Sequence, residues 1–375
     1  MKTTSFSPTI QLTTFLALVL LFLFFFSCIA QENPTALKSN KITLPLNLNL
    51  PDDPFWKEDA IEANNNINHF EEGSNDTNYA DYRYVGAHND HVYHRFFEVV
   101  RQQDQTLLGR LTYGIRGLMW DTYDFNLSWP AAIRGPEGAK VCLSHPAPGF
   151  LAFTQKGHNS YQSLQYELRR LIEFMKVTPN AVITLVLENY ASTAQTNAEI
   201  AAVLKAANYD PIFKPMDWPQ ADQANQEWPT LGWMRANNKR LVIFTQFGLN
   251  SVYTWREFTH CIENQYSTTD ENILCNQREE SQKLDQLQRK LVIFNNFNGL
   301  AVTQATSSTK NQVSYDTSKR VTTNCQAKNF AHKRLFNGYF ADRIVDSCND
   351  LYEHGQKTVF EYVNELNKKA DKTAP

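Results

Sequence analysis

Short apolar segments alternate with amphipathic segments from Tyr82 onward, and this alternation restricts the possible folds more than any other property of the chain. The apolar segments predict strands over 83–88, 115–121, 140–143, 181–187, 240–245, 290–294 and 338–342. The amphipathic segments predict helices over 98–111, 161–177, 198–206 and 358–369. Strands that alternate with helices form a parallel sheet with the helices outside it.

The strongest strands are apolar without interruption, as in AVITLVL at 181–187 and RLVIF at 240–244. Such strands are typical of a sheet that is buried on both faces. No Gly-rich phosphate loop follows the first strand, which argues against a dinucleotide-binding fold. The length of 375 residues suits one α/β barrel. We predict a single TIM-type (β/α) barrel over residues 81–367, and this prediction includes a barrel that is irregular or incompletely closed. The pattern alone does not separate such a barrel from an open doubly wound sheet.

The first thirty residues have the layout of a secretory signal peptide. An unbroken apolar run of twelve covers Phe15–Phe26, and Ser27-Cys28-Ile29-Ala30 provides small residues for cleavage before Gln31. The run is shorter than the roughly 20 residues of a membrane-spanning helix. We therefore predict a signal peptide at 1–30, a secreted protein, a polar arm at 31–80 and a polar tail at 368–375.

Secretion makes the cysteines candidates for disulfides. Removal of Cys28 leaves five, so at least one thiol is unpaired within the chain. We expect the pairs Cys261–Cys275 and Cys325–Cys348, with Cys142 reduced and buried on a strand. Cysteine spacing alone leaves the pairing open.

Composition limits the partners. The net charge of −3 gives no basic surface for nucleic acid, and we expect a monomer. The 24 Phe and 16 Tyr are compatible with a rim that touches lipid transiently. The sequons at Asn75 and Asn126 fit a glycoprotein surface.

Polar side chains stand at the ends of the first four predicted strands. His88, Asp121, His145 and Glu188 occupy these positions in chain order. Taken singly, His88, Asp121 and His145 have ordinary explanations as a surface histidine, a helix N-cap and a turn residue. Glu188 is harder to dismiss, because a carboxylate is rarely placed at the end of a buried strand without a partner. The carboxyl ends of barrel strands meet at one mouth, where active sites are built. The four residues together therefore predict a site at that mouth.

These strand ends carry a resemblance to a known family. YVGAHNDHVY, DQTLLGRLTYGIRGLMWDTYDF, VCLSHP and FMKVTPNAVITLVLENY resemble the X-region of phosphatidylinositol-specific phospholipases C. The likeness is nearest to secreted single-domain PLC-like phosphodiesterases. It continues through KRLVIFTQF, ENQYS and LFNGYFADRIVDSCNDLYEHG, and covers roughly residues 82–367.

The resemblance implies an acid–base pair. His88 matches the family histidine that deprotonates an alcohol nucleophile, and His145 matches the one that protonates the leaving alkoxide. Histidine suits both tasks because its ordinary pKa, about 6.5, lies near physiological pH. A substrate hydroxyl next to the phosphate, as in inositol lipids, would attack internally and give a cyclic phosphate.

The resemblance also implies a cation site. Asn89, Asp121 and Glu188 match positions that bind calcium in metal-dependent members, and oxygen ligands of this kind suit Ca²⁺. Arg116 matches the family's barrel arginine, a substrate or structural candidate that we interpret as structural.

Two departures weaken that cation site. Met119 stands where metal-dependent members have a glutamate, and methionine is a poor calcium ligand. Tyr123 stands where metal-independent bacterial members have an arginine. Asp90 is a candidate replacement ligand.

Three hypotheses follow. The first is a phosphoric diester hydrolase of the phospholipase C type that acts on a phospholipid or another small, inositol-containing phosphodiester. The second is an enzyme of the same superfamily for glycerophosphodiesters or sphingolipids. The third is a barrel without efficient turnover that serves as a secreted binding protein, and Met119 is the residue that favours it.

Overall fold

The structure is a computed structural model. It describes residues 41–46, 48, 56–89, 103, 105–124, 141–143, 163–218, 228–247, 251–265, 275–278, 291–296, 313–328 and 336–373. These residues belong to one compact unit that begins at Lys41.

The described residues form nine strands, and all of them join one sheet. They are β1 Tyr84–Ala87, β2 Gly117–Asp124, β3 Val141–Leu143, β4 Ile183–Asn189, β5 Leu241–Thr245, β6 Trp255–Arg256, β7 Cys261–Glu263, β8 Leu291–Asn295 and β9 Gly338–Ala341. Seven of these nine overlap the predicted strands. The other two, β6 and β7, have two and three residues, which is too short to produce a periodic pattern.

Most of the described helices lie between two strands in the chain; one precedes β1 and two follow β9. They are α1 Trp56–Ala63, α2 Leu107–Tyr113, α3 Leu164–Val177, α4 Thr193–Ala207, α5 Leu231–Ala236, α6 Glu257–His260, α7 Tyr315–Ala327, α8 Ile344–Glu353 and α9 Val359–Thr373. Helix α3 shows how they begin and pack: the Ser163 side chain accepts from the Tyr166 amide at the N-cap, and Leu168, Leu171 and Ile172 are buried. None of the described helices is both long and apolar enough to cross a membrane.

Eight of the nine strands run parallel in the order β6-β5-β4-β2-β1-β9-β8-β7. The first strand pairs with the last, from Tyr84↔Gly338 to Ala87↔Ala341, so the sheet curls back on itself as a barrel does. The two ends of the order, β6 and β7, are consecutive in the chain and are joined by α6. No ladder connects them within the described residues, so the TIM-type barrel with incomplete closure is confirmed.

Strand β3 differs from the prediction. It pairs antiparallel with the end of β2, with Leu143 beside Thr122, and does not join the parallel series. The expectation that the strand before His145 runs parallel to its neighbours was therefore wrong, whereas the position of His145 at the mouth stays a prediction. A three-residue apolar segment fixes neither its direction nor its partner, and here it returns along β2 instead of crossing over. The chain nevertheless leaves β3 beside the mouth end of β2.

Two aromatic rings fill the barrel interior below its mouth. A Cβ atom added to Gly86, Gly117 or Gly338 would come within 2.5–2.8 Å of the ring of Phe340 or within 2.7–2.9 Å of the ring of Tyr84. These glycines lie on the three neighbouring strands β1, β2 and β9. The absence of side chains at these glycines makes room for the two rings. Further along the same strands, the residues on this interior face line the mouth.

The polar lead-in, expected as an arm over 31–80, contains helix α1 in its described part. Trp56, Phe70 and Tyr79 from this segment are buried in the same apolar core as the strands. Its apolar residues are widely spaced among Asn and Glu, so the sequence gives no helical period to follow. The lead-in is thus part of the barrel's packing.

The disulfide in the described structure joins Cys275 and Cys325, with Cα atoms 4.8 Å apart. Cys261 and Cys348 are both buried and neither is in a disulfide, so the predicted pairs Cys261–Cys275 and Cys325–Cys348 were wrong. Cys261 lies inside β7 and Cys348 inside α8, where each packs into the core. The prediction that Cys142 is reduced and buried on a strand is confirmed, and burial raises its pKa to about 12.

Candidate active site

The barrel mouth is lined by one side chain from each parallel strand. Successive strand residues face opposite sides of a sheet, so the face that carries Tyr84 and Phe340 also carries every second residue beyond them. At the carboxyl ends of the strands these are His88, Asp121, Glu188, Gln246, Glu257, Glu263, Asn295 and Asp342. Five of the eight are acids, so the mouth is acidic.

His88 forms a buried pair with an aspartate that ends β9. Its Nδ1 lies 2.9 Å from Oδ1 of Asp342, and the two side chains are 9% and 0% exposed. A carboxylate at this distance holds the proton on Nδ1 and orients the ring, which leaves Nε2 as the nitrogen that can accept a proton. This arrangement gives His88 the geometry of a general base.

The backbone around His88 is fixed from two sides. The buried Gln103 amide donates to the His88 carbonyl at 2.6 Å and to the Ala341 carbonyl at 3.2 Å, so it clamps the ends of β1 and β9 together. Asn89 then adopts a left-handed conformation with φ 43°, which asparagine tolerates better than most residues. The chain therefore turns sharply just after His88.

Asp121 and Glu188 are direct partners across the β2–β4 ladder. Their side chains share one face of neighbouring strands, so the two carboxylates lie side by side. Two residues further along each strand come Tyr123 and Tyr190. Burial raises the pKa of both tyrosines, and the negative charges of Asp121 and Glu188 raise it further. Of the predicted metal ligands, the structure thus brings these two together.

The predicted calcium ligands fit that ion only in part. The described donors are two carboxylates and the Asn89 amide, whereas Ca²⁺ takes six to eight oxygens. Within the part of the chain that the structure describes, no three His, Cys, Asp or Glu side chains form a group that could hold a metal ion. Met119 lies fully buried among apolar residues and adds no oxygen. These residues alone do not complete a calcium site.

The opposite wall of the mouth holds two buried glutamates and an arginine. Burial raises the pKa of Glu257, and the neighbouring Glu263 raises it further, while Arg278 opposes both effects. Glu263 binds Arg278 at 2.8 Å and accepts from the Asn295 amide at 2.7 Å. Glu257 therefore keeps its proton to a higher pH than an exposed glutamate, and Glu263 is the ionic partner of Arg278.

Three aromatic side chains form a rim beside the acidic pair. The rings of Tyr123 and Tyr190 stack with centroids 4.8 Å apart, and Phe247 lies 5.1 Å from Tyr190. Tyr190 is 48% exposed and Phe247 38% exposed. The Tyr190 hydroxyl donates to Glu188 at 3.1 Å, which fixes the outer ring over the carboxylates. This rim offers apolar surface directly at the mouth.

Arg116 lies at the other end of the barrel. It precedes β2, and its guanidinium donates to Glu72 at 2.6 Å and to the carbonyls of Leu111 and Ile115. The cation also lies over the rings of Phe70 and Phe174. It is enclosed away from the mouth, so its contacts tie the lead-in to the barrel floor.

His145 and Asp90 lie outside the described residues. Sequence reasoning missed Asp342, Glu263 and Arg278. Asp342 ends a predicted strand, so the criterion that selected His88 could have found it. Glu263 ends a strand too short to predict, and Arg278 lies in a loop, so neither gave a signal.

The sequence is similar to the PI-PLC X family. The model of this family, described as PI-PLC X 1, matches residues 151–333, a region that includes Glu188 and Arg278 but begins after His88 and Asp121. A PI-PLC X domain-containing protein of Arabidopsis thaliana is 26% identical over 204 residues, which cover 52% of this chain and 42% of that protein. The match therefore spans less than half of that relative's length.

Solved structures with a similar fold include two bacterial phospholipases. The phosphatidylinositol-specific phospholipase C from Listeria monocytogenes is 12% identical with a TM-score of 0.45, over 80% of this chain and 97% of that one. A variant of the phosphatidylinositol-specific phospholipase C from Staphylococcus aureus has the same sequence identity and TM-score. The match covers 79% of this chain and 94% of that one.

The fold and site define an incompletely closed α/β barrel with a histidine–carboxylate pair in an acidic mouth. The resemblance predicted from the sequence is confirmed. Over residues 151–333, just under half of its length, the chain resembles the PI-PLC X family.

Proposed function

We propose that this protein is a secreted phosphoric diester hydrolase of the phospholipase C type, acting on a lipid-like or inositol-containing phosphodiester. The observation that carries the proposal is the His88–Asp342 pair at the barrel mouth. Nε2 of His88 removes the proton of the attacking hydroxyl, and Asp342 stabilises the imidazolium that forms. His145 is the proposed acid that protonates the leaving oxygen.

The aromatic rim supports a lipid-like substrate. Tyr190 and Phe247 present partly exposed rings beside the mouth, and aromatic side chains are favoured where one end is apolar and the other wet. A phospholipid held with its headgroup in the mouth would place its glycerol end near this rim. Contact with a membrane surface would be transient.

Calcium at Asn89, Asp121 and Glu188 is a separate part of the proposal. When bound, the ion would supply positive charge to the phosphate oxygens. Activity that persists unchanged in a tight chelator would remove these three residues as cation ligands.

The buried Met119 favours a second candidate, a barrel that binds its ligand without efficient turnover. Product analysis of the purified mature protein on a panel of phosphodiesters, with and without calcium, separates the candidates. Cyclic inositol phosphate from phosphatidylinositol supports the proposed lipase, whereas glycerol phosphate release indicates a glycerophosphodiesterase. Absence of cleavage of every substrate under both conditions supports the binding protein.

His88→Ala tests the acid–base assignment directly. Loss of the base should lower the rate by roughly 10²-fold or more. His145→Ala should have an effect of similar size. Unchanged activity in both variants would disprove the proposed mechanism.

A further inference from the structure

The proposed reaction requires positive charge at the phosphate, and neither expected source is intact. Negative charge grows on phosphate oxygens in the transition state, and a fixed cation lowers that barrier. Met119 stands at the position of the resembled calcium ligand and is buried in the core. Tyr123 stands at the position of the resembled arginine and stacks on Tyr190. A cationic side chain elsewhere in the mouth would supply this charge without a bound ion.

Arg278 brings a cation to the mouth from the loop that follows β7. Its Nη1 lies 2.8 Å from Oε2 of Glu263 and 3.5 Å from Oε1 of Gln246, both of which face the barrel interior. The guanidinium also lies 5.3 Å from the ring centre of Phe258. The side chain of Arg278 is 15% exposed, whereas that of Glu263 is 0% exposed. Arg278 therefore reaches further toward solvent than the carboxylate that holds it.

The described part of this loop is anchored at two points, a disulfide and a β-bridge. The Cys275–Cys325 disulfide joins it to α7, three residues before Arg278. Gln277 forms an antiparallel bridge with Asn264, and the Arg278 amide donates to the Glu263 carbonyl at 2.9 Å. These ties fix the arginine over the gap between β6 and β7. A cation on a restrained backbone needs little reorganisation when charge develops.

The strand order places Arg278 across the mouth from His88. Arg278 contacts residues at the ends of β5 and β7, and His88 follows β1, on the far side of the eight-strand series. The interior of an eight-stranded barrel is only wide enough for side chains or one small group. A phosphate in this mouth would contact both walls, with the base on one side and the guanidinium on the other.

The charge on the surrounding acids favours the same position. Burial raises the pKa of both Glu257 and Glu263, so the two acids beside Arg278 disfavour their charged forms. On β2 and β4, Asp121 and Glu188 lie side by side and repel an anion. Among the described residues of the mouth, the Arg278 end is thus the most favourable for phosphate oxygens.

We propose that Arg278 binds the non-bridging oxygens of the phosphodiester and stabilises the negative charge that builds on them. This assignment rests on the proposed phosphodiesterase function. A guanidinium presents five N–H donors in a planar fork, so it can hold a carboxylate on one edge and a phosphate on another. The arginine thus takes the part of the cation that the β2 positions do not supply.

The first test measures binding of inorganic phosphate to the full mature chain by calorimetry. Arg278→Gln should weaken the affinity about tenfold or more, because it removes a charged hydrogen-bond donor. Arg278→Lys should restore part of it, since the charge remains but the fork is lost. The matched control is Arg256→Gln, on the exposed side of β6, which should bind phosphate as the native protein does.

A second variant separates ligand binding from folding. Arg278→Gln alone leaves Glu263 buried without its ionic partner and can destabilise the chain. Glu263→Gln combined with Arg278→Gln removes both charges, and its melting temperature shows whether the fold is intact. A folded double variant that binds phosphate as tightly as the native protein would overturn the assignment, as would a native protein that binds no phosphate.

Turnover distinguishes this assignment from the proposed function. Where the native protein cleaves a phosphodiester, Arg278→Gln should lower kcat/KM by about 10²–10³-fold, and equal activity would overturn the assignment alone. Where no substrate is cleaved but phosphate affinity still depends on Arg278, the proposed hydrolase fails and Arg278 stands as an anion-binding residue.

Discussion

The two ends of the barrel use arginine differently. At the floor, Arg116 is 1% exposed and is surrounded by Glu72, backbone carbonyls and two aromatic rings. At the mouth, Arg278 is 15% exposed and binds Glu263, with Gln246 at the edge of hydrogen-bonding distance. The first cation is enclosed by the fold, and the second faces the site.

The same difference extends to the acids. Glu72 at the floor joins the lead-in to the barrel through Arg116 and the Tyr82 hydroxyl. At the mouth, Asp342 orients His88, and Asp121 and Glu188 lie beside each other. Changes at the floor should therefore alter stability alone, whereas changes at the mouth should also alter chemistry.

The largest effect should come from Asp342→Asn. Without the carboxylate, His88 is no longer held in the tautomer with its proton on Nδ1, so kcat should fall about 10³-fold. Steady-state kinetics on the cleaved phosphodiester measure this loss. Asp346→Asn, an exposed change on α8, is the control and should retain native activity. Full activity in Asp342→Asn would show that this pair has only a structural role.

Arg116→Met tests whether the arginine at the barrel floor contributes to stability and not to ligand binding. The substitution removes a buried cation and leaves Glu72 without it, so the free energy of unfolding should fall by about 3 kcal/mol. Urea denaturation measures this value, and calorimetry on the folded fraction should show unchanged phosphate affinity. A folded Arg116→Met protein that no longer binds phosphate would break the division between floor and mouth.

Replacement of the two buried glutamates of the mouth by glutamine should change the free energy of unfolding by different amounts. Glu263→Gln removes the ionic partner of Arg278 and should cost about 3 kcal/mol. Glu257→Gln should change stability by less than about 1 kcal/mol below pH ~4, where the carboxyl carries its proton in the folded and unfolded states alike.

The pH dependence sharpens this contrast. A raised pKa means that the stability contributed by Glu257 is present at low pH and is lost as the pH rises through its folded value. The Glu257→Gln variant has no such group, so its stability relative to the native protein should increase with pH. Urea denaturation between pH 5 and 9 gives the result. A relative stability that decreases with pH would mean that Glu257 is ionised in the fold.

The smallest effect concerns His260, which lies outside the site among Trp218, Trp228 and Trp255. Burial lowers its pKa to about 4, so the folded protein disfavours the charged ring. The stability that the neutral His260 ring contributes is complete above the unfolded pKa, about 6.5, and is lost as the pH falls toward 4. In His260→Phe, the free energy of unfolding, measured by urea denaturation, should depend less on pH in this interval. An unchanged dependence would mean that burial of His260 does not lower its pKa.

Much of the site was predictable from the sequence. His88, Asp121 and Glu188 follow apolar strands long enough to recognise, and parallel strands end on one rim. Asp342 satisfies the same criterion at the last strand. The direction of β3 was not predictable, because three apolar residues fit either orientation.

Other features depend on long-range packing. The cysteine pairing depends on which segments meet in space, and Cys275 and Cys325 are 50 residues apart in the chain. Arg278 reaches the mouth because that disulfide and the bridge to β7 direct its loop there. No local pattern in the sequence encodes either contact.

The sequence by itself determined the alternation of buried strands and helices, the parallel sheet and the polar strand ends, because side-chain periodicity and strand polarity are local properties. Tertiary structure alone decided the partner of His88, the cysteine pairing, the incomplete closure between β6 and β7 and the position of Arg278 at the mouth. Those outcomes depend on contacts between segments distant in the chain, whose geometry only the complete packing of the barrel fixes.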